Sequence, residues 1–259
     1  MILNKNIDKV KNSQLVITPE TSLTFDITRN EYYRDILKNK LKSLNTYLQV
    51  GSQAASVKDD NFKKYNSSFL ISPAGKIENR YNKNRLVLFG EFIPFQKFVN
   101  NVAGTNLRSL TRGKGVEIFK TDFSNWKTVI CSEILNPLFF QKNINKIDFV
   151  INQSNEAWYN KSNLKNQMWY GAKFRAVENR CSVVKAGNYA YNGLILPSGK
   201  QIKRDVNKKE SFVVEIKINH TSTLYQKWGN YIGYISAIIW GLFIIIKIIV
   251  WIKKRRKFR

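Results

Sequence analysis

The short β-branched run Thr128-Val129-Ile130 stops at Cys131-Ser132-Glu133, so a strand would end by presenting a thiol with a carboxylate two residues on. Two readings of Cys131 stand side by side. A cysteine is often a small, buried, inert packing residue. It is also a nucleophile wherever something takes its proton, because a free thiol titrates near ~8.5. The sequence offers partners for the second reading. Glu20 follows the apolar run Leu15-Val16-Ile17-Thr18-Pro19, and Lys83 follows the turn at Pro73-Ala74-Gly75. Chemistry in α/β domains collects beyond the carboxyl ends of strands. If all three residues sit there, a carboxylate, an ammonium and a thiol meet at one sheet edge. Glu20 would then take the thiol proton, and Lys83 would stabilise the oxyanion that forms when an acyl carbonyl is attacked. Spacing alone leaves open that the three are unrelated surface residues.

Other chemistries find less support. The only cysteines are Cys131 and Cys181, too few for a disulfide framework. With the single histidine, His220, they cannot make a zinc site. His220 is the histidine base for Cys131 only by elimination; its place before a hydrophobic segment reads as surface or juxtamembrane. No metal and no cofactor are expected. Lys and Arg number 43 against 18 Asp and Glu, a formal charge of +25. Such a charge reflects either composition bias or attraction to an anionic surface, membrane or nucleic acid. No nucleic-acid module is recognisable, so no nucleic-acid partner is expected.

The elements that must position these residues follow from the pattern. With 259 residues the chain is long enough for one sizeable domain. Short apolar runs at Gln14–Thr18, Ser67–Ser72, Thr128–Cys131, Asp148–Gln153, Cys181–Lys185 and Phe212–Ile218 read as strands. Helical spacing covers Ile27–Leu48 and Asn166–Asn179. Pro73-Ala74-Gly75 and Pro197-Ser198-Gly199 read as hairpin turns. Strands alternating with helices predict an α/β domain.

Residues Tyr231–Ile252 are apolar all round and match the ~20 residues that cross a bilayer as a helix. Trp228, Tyr231, Tyr234 and Trp251 lie near its ends, where amphipathic rings favour the interface. Lys247 is close enough to the tail Lys253-Lys254-Arg255-Arg256-Lys257-Phe258-Arg259 to snorkel toward it. The positive-inside rule puts that tail in the cytoplasm and the preceding residues on the other side. The expected division is therefore a catalytic domain over 1–228, a transmembrane helix over 229–252 and a basic cytoplasmic tail over 253–259.

Seven collinear blocks then resemble one family, the apolipoprotein N-acyltransferases of the nitrilase superfamily. Gln14-Leu15-Val16-Ile17-Thr18-Pro19-Glu20-Thr21 is similar to its glutamate-bearing strand. Tyr65-Asn66-Ser67-Ser68 with Asn79-Arg80-Tyr81-Asn82-Lys83 resembles its lysine segment. Leu86-Val87-Leu88-Phe89-Gly90-Glu91-Phe92-Ile93-Pro94 is similar to its LVPFGEYVP block, with Leu88 in place of proline. Cys131-Ser132-Glu133 resembles CYE, Asn155-Glu156-Ala157-Trp158-Tyr159 resembles NDAWF, and Phe174-Arg175-Ala176-Val177-Glu178-Asn179-Arg180 resembles its RALE block. Thr223–Asn230 resembles the join to the family's last membrane helix. Cys181–Asn188 departs from the family's Arg-Ser-x-Asn-x-Gly pattern, and Met168 replaces a common histidine.

The resemblance implies an α/β/β/α sandwich facing the periplasm from the bacterial inner membrane. It implies Glu20 as general base, Lys83 as oxyanion stabiliser, Cys131 as nucleophile, Glu91 as a second essential glutamate and Glu133 in the same pocket. It also implies a phospholipid acyl donor and a diacylglyceryl-modified apolipoprotein acceptor. The family begins with a bundle of membrane helices, and its sandwich starts well before the glutamate. Only 19 residues precede Glu20 here. The sandwich is therefore expected to be N-terminally truncated, with a separate chain as one source of the missing helices. The alternatives are an amidase of the same superfamily, an inactive or partial fragment, and a basic membrane-surface protein.

Overall fold

β1 (Leu15–Ile17) and β2 (Leu23–Asp26) both run parallel to one long strand, β3 (Tyr47–Lys58), so the turn between them, which carries Glu20, is pinned at two points. The computed structural model describes residues 10–58, 61–115, 117–140, 146–159, 162–204, 211–218 and 221–256; His220 and the tail residues 257–259 lie outside them. β3 continues antiparallel into β4 (Asn61–Ile71), and β4 into β5 (Ile77–Asn82) through the expected turn at Pro73-Ala74-Gly75. The first sheet is ordered β1-β3-β4-β5, with β2 also on β3.

The second sheet comprises β6 (Ile118–Lys120), β7 (Asn125–Ile130), β8 (Phe149–Asn155), β9 (Ser182–Asn188), β10 (Asn192–Ile195) and β11 (Gln201–Arg204), in the order β11-β10-β9-β8-β7-β6. Its centre, β7-β8-β9, is parallel, and its edges are antiparallel. The β10–β11 pair is the hairpin expected at Pro197-Ser198-Gly199.

Helix α1 (Glu31–Leu44) covers the first sheet with Leu37 and Leu41, which join Ile27, Leu48, Val50, Phe69 and Ile71 in one core. Helix α3 (Leu164–Asn179) follows α2 (Gln96–Ala103) and covers the second sheet with Met168, Trp169, Ala172 and Ala176. Between the sheets, Leu70 and Tyr81 of the first pack with Trp126, Ile130 and Ile151 of the second. Helix, sheet, sheet and helix are the layers of the expected sandwich. The facing sheets also share a polar seam. Gln49 donates to Ser68, Ser68 to Gln153, and Trp126 Nε1 to Gln49 Oε1, so one register is singled out among apolar alternatives.

Two sequence expectations need correction. The helix read over Ile27–Leu48 occupies only Glu31–Leu44: Asn30 caps its start through Tyr33 N, and Asn45, left-handed at φ 47°, returns its N–H to Leu41 and Lys42 and ends it. Leu48 is already in β3, whose polar residues Gln49 and Ser52 obscured the strand because they serve the seam and the β2 contact. Phe212–Ile218 is not a strand: Phe212, Val214 and Ile216 are half-buried in alternation with exposed neighbours, but the segment joins no ladder.

Helix α4 (Leu224–Trp228) is tied to the end of α3, with Thr223 Oγ1 donating to Glu178 O at 2.6 Å and Gln226 Nε2 to Asn179 O at 2.7 Å. Helix α5 (Tyr231–Arg256) follows at once; its stretch Tyr231–Lys254 is long and apolar enough to cross a membrane, and none of it is buried by the rest of the protein.

Candidate active site

Three segments converge at the carboxyl ends of β1, β5 and β7. Glu20 sits in the turn after β1, where Gly51 of β3 lets the chain approach: a Cβ at Gly51 would lie 2.4 Å from Pro19 O and 2.8 Å from Glu20 Cα. Lys83 follows β5 directly, its N–H bonded to Asn66 O at 2.9 Å. Cys131 ends β7 with φ 53°, a left-handed conformation that is sterically costly for a side-chain-bearing residue and turns the chain sharply into the 3-10 turn Cys131–Leu135.

The charges are buried and matched. Lys83, 1% exposed, places Nζ 3.2 Å from Glu20 Oε1 and 2.8 Å from Glu91 Oε2. Asn66 Nδ2 donates to Glu20 Oε1 at 2.6 Å and to Glu91 Oε1 at 2.8 Å. The remaining Glu20 oxygen accepts from Asn155 N at 2.7 Å, and Glu91 Oε2 accepts from Val87 N at 2.9 Å. Burial alone would pull the Lys83 ammonium down, but Glu20, Cys131 and Glu91 together hold it above the usual lysine range. The Cys131 thiol, 8% exposed, is pushed up to about 12, first by burial and then by Glu20 and Glu91, against the opposing pull of Lys83 and Lys185. At neutral pH it is a thiol, so any nucleophilic use of it requires a base that removes the proton during attack.

Glu133 is fully buried, and its carboxylate is filled by protein donors: Ile130 N at 2.8 Å, Tyr81 Oη at 2.9 Å, Asn84 N at 2.7 Å and Arg85 N at 2.9 Å. It therefore ties the Cys131 turn to the segment just after Lys83. Burial raises its pKa even against these four donors.

Glu20, Lys83 and Glu91 are thus in contact, Cys131 lies within reach of their charges, and Glu133 buttresses the turn from behind. Sequence reasoning on the site passed over Asn66 and Asn155, which orient the carboxylates, and Asn152, whose Nδ2 donates to Val129 O at 3.3 Å and Cys131 O at 3.2 Å. It also passed over Lys185, fully buried with Glu156. The signal was present: Asn152-Gln153-Ser154-Asn155-Glu156 is a polar run directly continuing an apolar strand, and Lys185 interrupts another. Among the described residues no group of three or more His, Cys, Asp or Glu could hold a metal.

Residues 4–230 match the carbon-nitrogen hydrolase family. Among similar proteins, an apolipoprotein N-acyltransferase of Rickettsia typhi is 27% identical over 239 residues, covering 89% of this chain and 48% of its own. Apolipoprotein N-acyltransferase 2 of Treponema denticola is 28% identical over 265 residues, covering 95% and 49%. The chain thus spans about half the length of the curated relatives it matches. In fold it is similar to Saccharomyces cerevisiae Nit3, a member of branch 10 of the nitrilase superfamily, with a TM-score of 0.60, 17% identity and coverage of 80% and 78%. The match over residues 4–230 shows that this chain belongs to the carbon-nitrogen hydrolase family.

Proposed function

We propose that the protein is the acyl-transferring part of an apolipoprotein N-acyltransferase, with Cys131 as nucleophile, Glu20 as general base and Lys83 as oxyanion stabiliser. The observation that carries this reading is the buried Lys83 between Glu20 and Glu91, with all three charges acting on the Cys131 thiol. Relatives named apolipoprotein N-acyltransferase, and the helix Tyr231–Lys254, favour a membrane-borne acyl donor over a soluble amide.

In the first half-reaction Glu20 takes the Cys131 proton as sulfur attacks the ester carbonyl of a phospholipid. The oxyanion is held by the Lys83 ammonium. It collapses with cleavage of the carbonyl–oxygen bond, and the lysophospholipid leaves with the proton from Glu20. In the second half-reaction the α-amino group of a diacylglyceryl-modified cysteine attacks the thioester, Glu20 takes the amine proton and returns it to sulfur, and an amide is formed. Glu91, 2.8 Å from the Lys83 ammonium, helps to hold it in place. The catalytic domain faces the periplasm and the C-terminus the cytoplasm.

The test is to trap the intermediate. Full-length protein in phospholipid membranes without an acceptor should accumulate an acyl mass on the Cys131 peptide, released by neutral hydroxylamine. Cys131→Ala should abolish adduct and transfer. Cys181, also buried with its thiol pushed up to about 12 by burial and Asp148, should carry none. An acyl group on Cys181, or transfer by Cys131→Ala, would overturn the assignment.

A further inference from the structure

Lys185 interrupts the apolar strand Ser182-Val183-Val184-Lys185-Ala186 and is fully buried, as is Glu156. Its Nζ lies 2.6 Å from Ser154 Oγ and 2.5 Å from Glu156 Oε1, and Ser154 Oγ donates to the same Glu156 oxygen at 3.1 Å. Two charges withdrawn from water are seldom repaid by their attraction, and an apolar pair of similar size would often stabilise the fold at least as well. The placement of this pair therefore matters more than its energy.

The pair grips both neighbours of Asn155, the residue whose N–H holds Glu20 Oε2. Ser154 and Glu156 are fixed by the ammonium, and Glu156 N is further bonded to Asn188 O at 2.9 Å. In the β8–β9 register Lys185 stands opposite Asn152, whose amide holds the carbonyls of Val129 and Cys131. Five ionisable groups surround the Cys131 thiol. Four of these, Glu20 after β1, Lys83 after β5, Glu91 in the loop beyond it and Lys185 on β9, act on the thiol directly, and the fifth, Glu133, lies within the same turn; Glu156, just after β8, enters as the counter-ion of Lys185.

We propose that the Lys185–Glu156 ion pair is a positioning device: it fixes the Asn155 amide against Glu20 and sets a second buried cation beside the Cys131 turn. The inference rests on the proposed roles of Cys131 and Glu20. Removing the Lys185 charge removes an influence that favours thiolate, whereas removing the Glu156 charge leaves that ammonium without its counter-ion, so the two changes act on the thiol in opposite directions.

The experiment uses the full chain in detergent with Cys181→Ala, so that Cys131 is the only thiol. Iodoacetamide alkylation of the Cys131 peptide is followed at one fixed, mildly alkaline pH, beside single-turnover thioester formation from phospholipid. The alkylation rate tracks the thiolate fraction, so a one-unit rise in thiol pKa reads as about tenfold slower labelling. Lys185→Met with Glu156→Gln, which leaves no orphaned charge, should slow thioester formation about tenfold through the displaced Asn155 amide, with little change in labelling, because the two opposing influences leave together. Glu156→Gln alone should speed labelling while slowing thioester formation, and Lys185→Arg should preserve both within about threefold. If the double variant does not fold, the isosteric Glu156→Gln decides by the sign of its labelling change. Wild-type thioester formation in the folded double variant, or slowed labelling in Glu156→Gln, would overturn the proposal. Transfer retained by Cys131→Ala would instead overturn the assignment of the nucleophile.

Discussion

Lys83 Nζ and Asn66 Nδ2 bridge the same two oxygens, Glu20 Oε1 and Glu91 Oε1, so that two donors and two carboxylates close a four-membered ring of contacts. The ammonium supplies the charge, and the amide fixes the geometry without adding another. Asn66→Asp would place a third carboxylate in the ring and remove the donor. The variant should lose about 1.5–3 kcal/mol of stability, the range for hydrogen bonds to charged groups. It should transfer acyl chains about 10²-fold more slowly. Thermal unfolding beside a transfer assay checks both; wild-type transfer by folded Asn66→Asp would show that the ring is ornamental.

The thiol of Cys131 should report its neighbours with opposite signs. Burial raises its pKa, Glu20 pushes it further up and Lys83 pulls it down, and the balance leaves it at about 12. At a fixed pH below that value, Glu20→Gln should therefore alkylate faster than wild type and Lys83→Met slower. Both should nonetheless form thioester at least ~10²-fold more slowly, because one lacks the proton acceptor and the other the oxyanion partner. Mass spectrometry of the Cys131 peptide across a pH series measures this. Equal shifts in one direction would contradict the charge arrangement.

Gly51 is required by contact. A methyl group there meets Pro19 O, Glu20 Cα and Thr21 N, all backbone atoms that cannot step aside singly. Gly51→Ala should push the Glu20 turn away from Lys83. The expected cost is about 1–3 kcal/mol, typical of overpacking. Transfer should fall much further, about 10²-fold, from displacement of the base. A rate loss no larger than the loss of folded protein would speak against this.

Glu133 accepts from three backbone N–H groups and the Tyr81 hydroxyl. In Glu133→Gln one acceptor oxygen becomes an NH2 that faces other donors. The variant should lose about 3 kcal/mol in denaturant unfolding, as expected when buried donors go unmet. Its remaining folded fraction should label Cys131 abnormally, because the turn is no longer tied to the segment after Lys83.

The orientation proposed for α5 has its own test. Its C-terminal end carries Lys253, Lys254, Arg255 and Arg256 and precedes three further residues, two of them basic. A reporter active only in the cytoplasm and fused after Arg259 should be active in the complete membrane protein. An inserted, expressed but silent fusion would reverse the topology.

Much of this protein is written locally. The periodicity of 164–179, the hairpin turns at Pro73 and Pro197, and the apolar helix after Tyr231 depend on neighbours in sequence, and the sequence alone yields them. The ends of β1, β5 and β7, and hence the candidates Glu20, Lys83 and Cys131, were legible because each closes a recognisable strand or hairpin. Local signals failed where a segment's partner is distant. β3 reads as a polar stretch until Ser68 and Trp126 arrive to satisfy Gln49. Phe212–Ile218 has a strand's alternation but joins no ladder. The contacts that make a site of these residues are longer in range still: Asn66 reaches 46 residues back to Glu20, and Asn155 reaches 135. Residue type announces that a buried Lys185 or Glu133 must find partners, because an unpaired charge in the interior is too costly to persist. Which partners it finds is decided only when the two sheets close on each other, since hydrogen bonds and ion pairs form between groups that the chain folds together, whatever their separation in sequence.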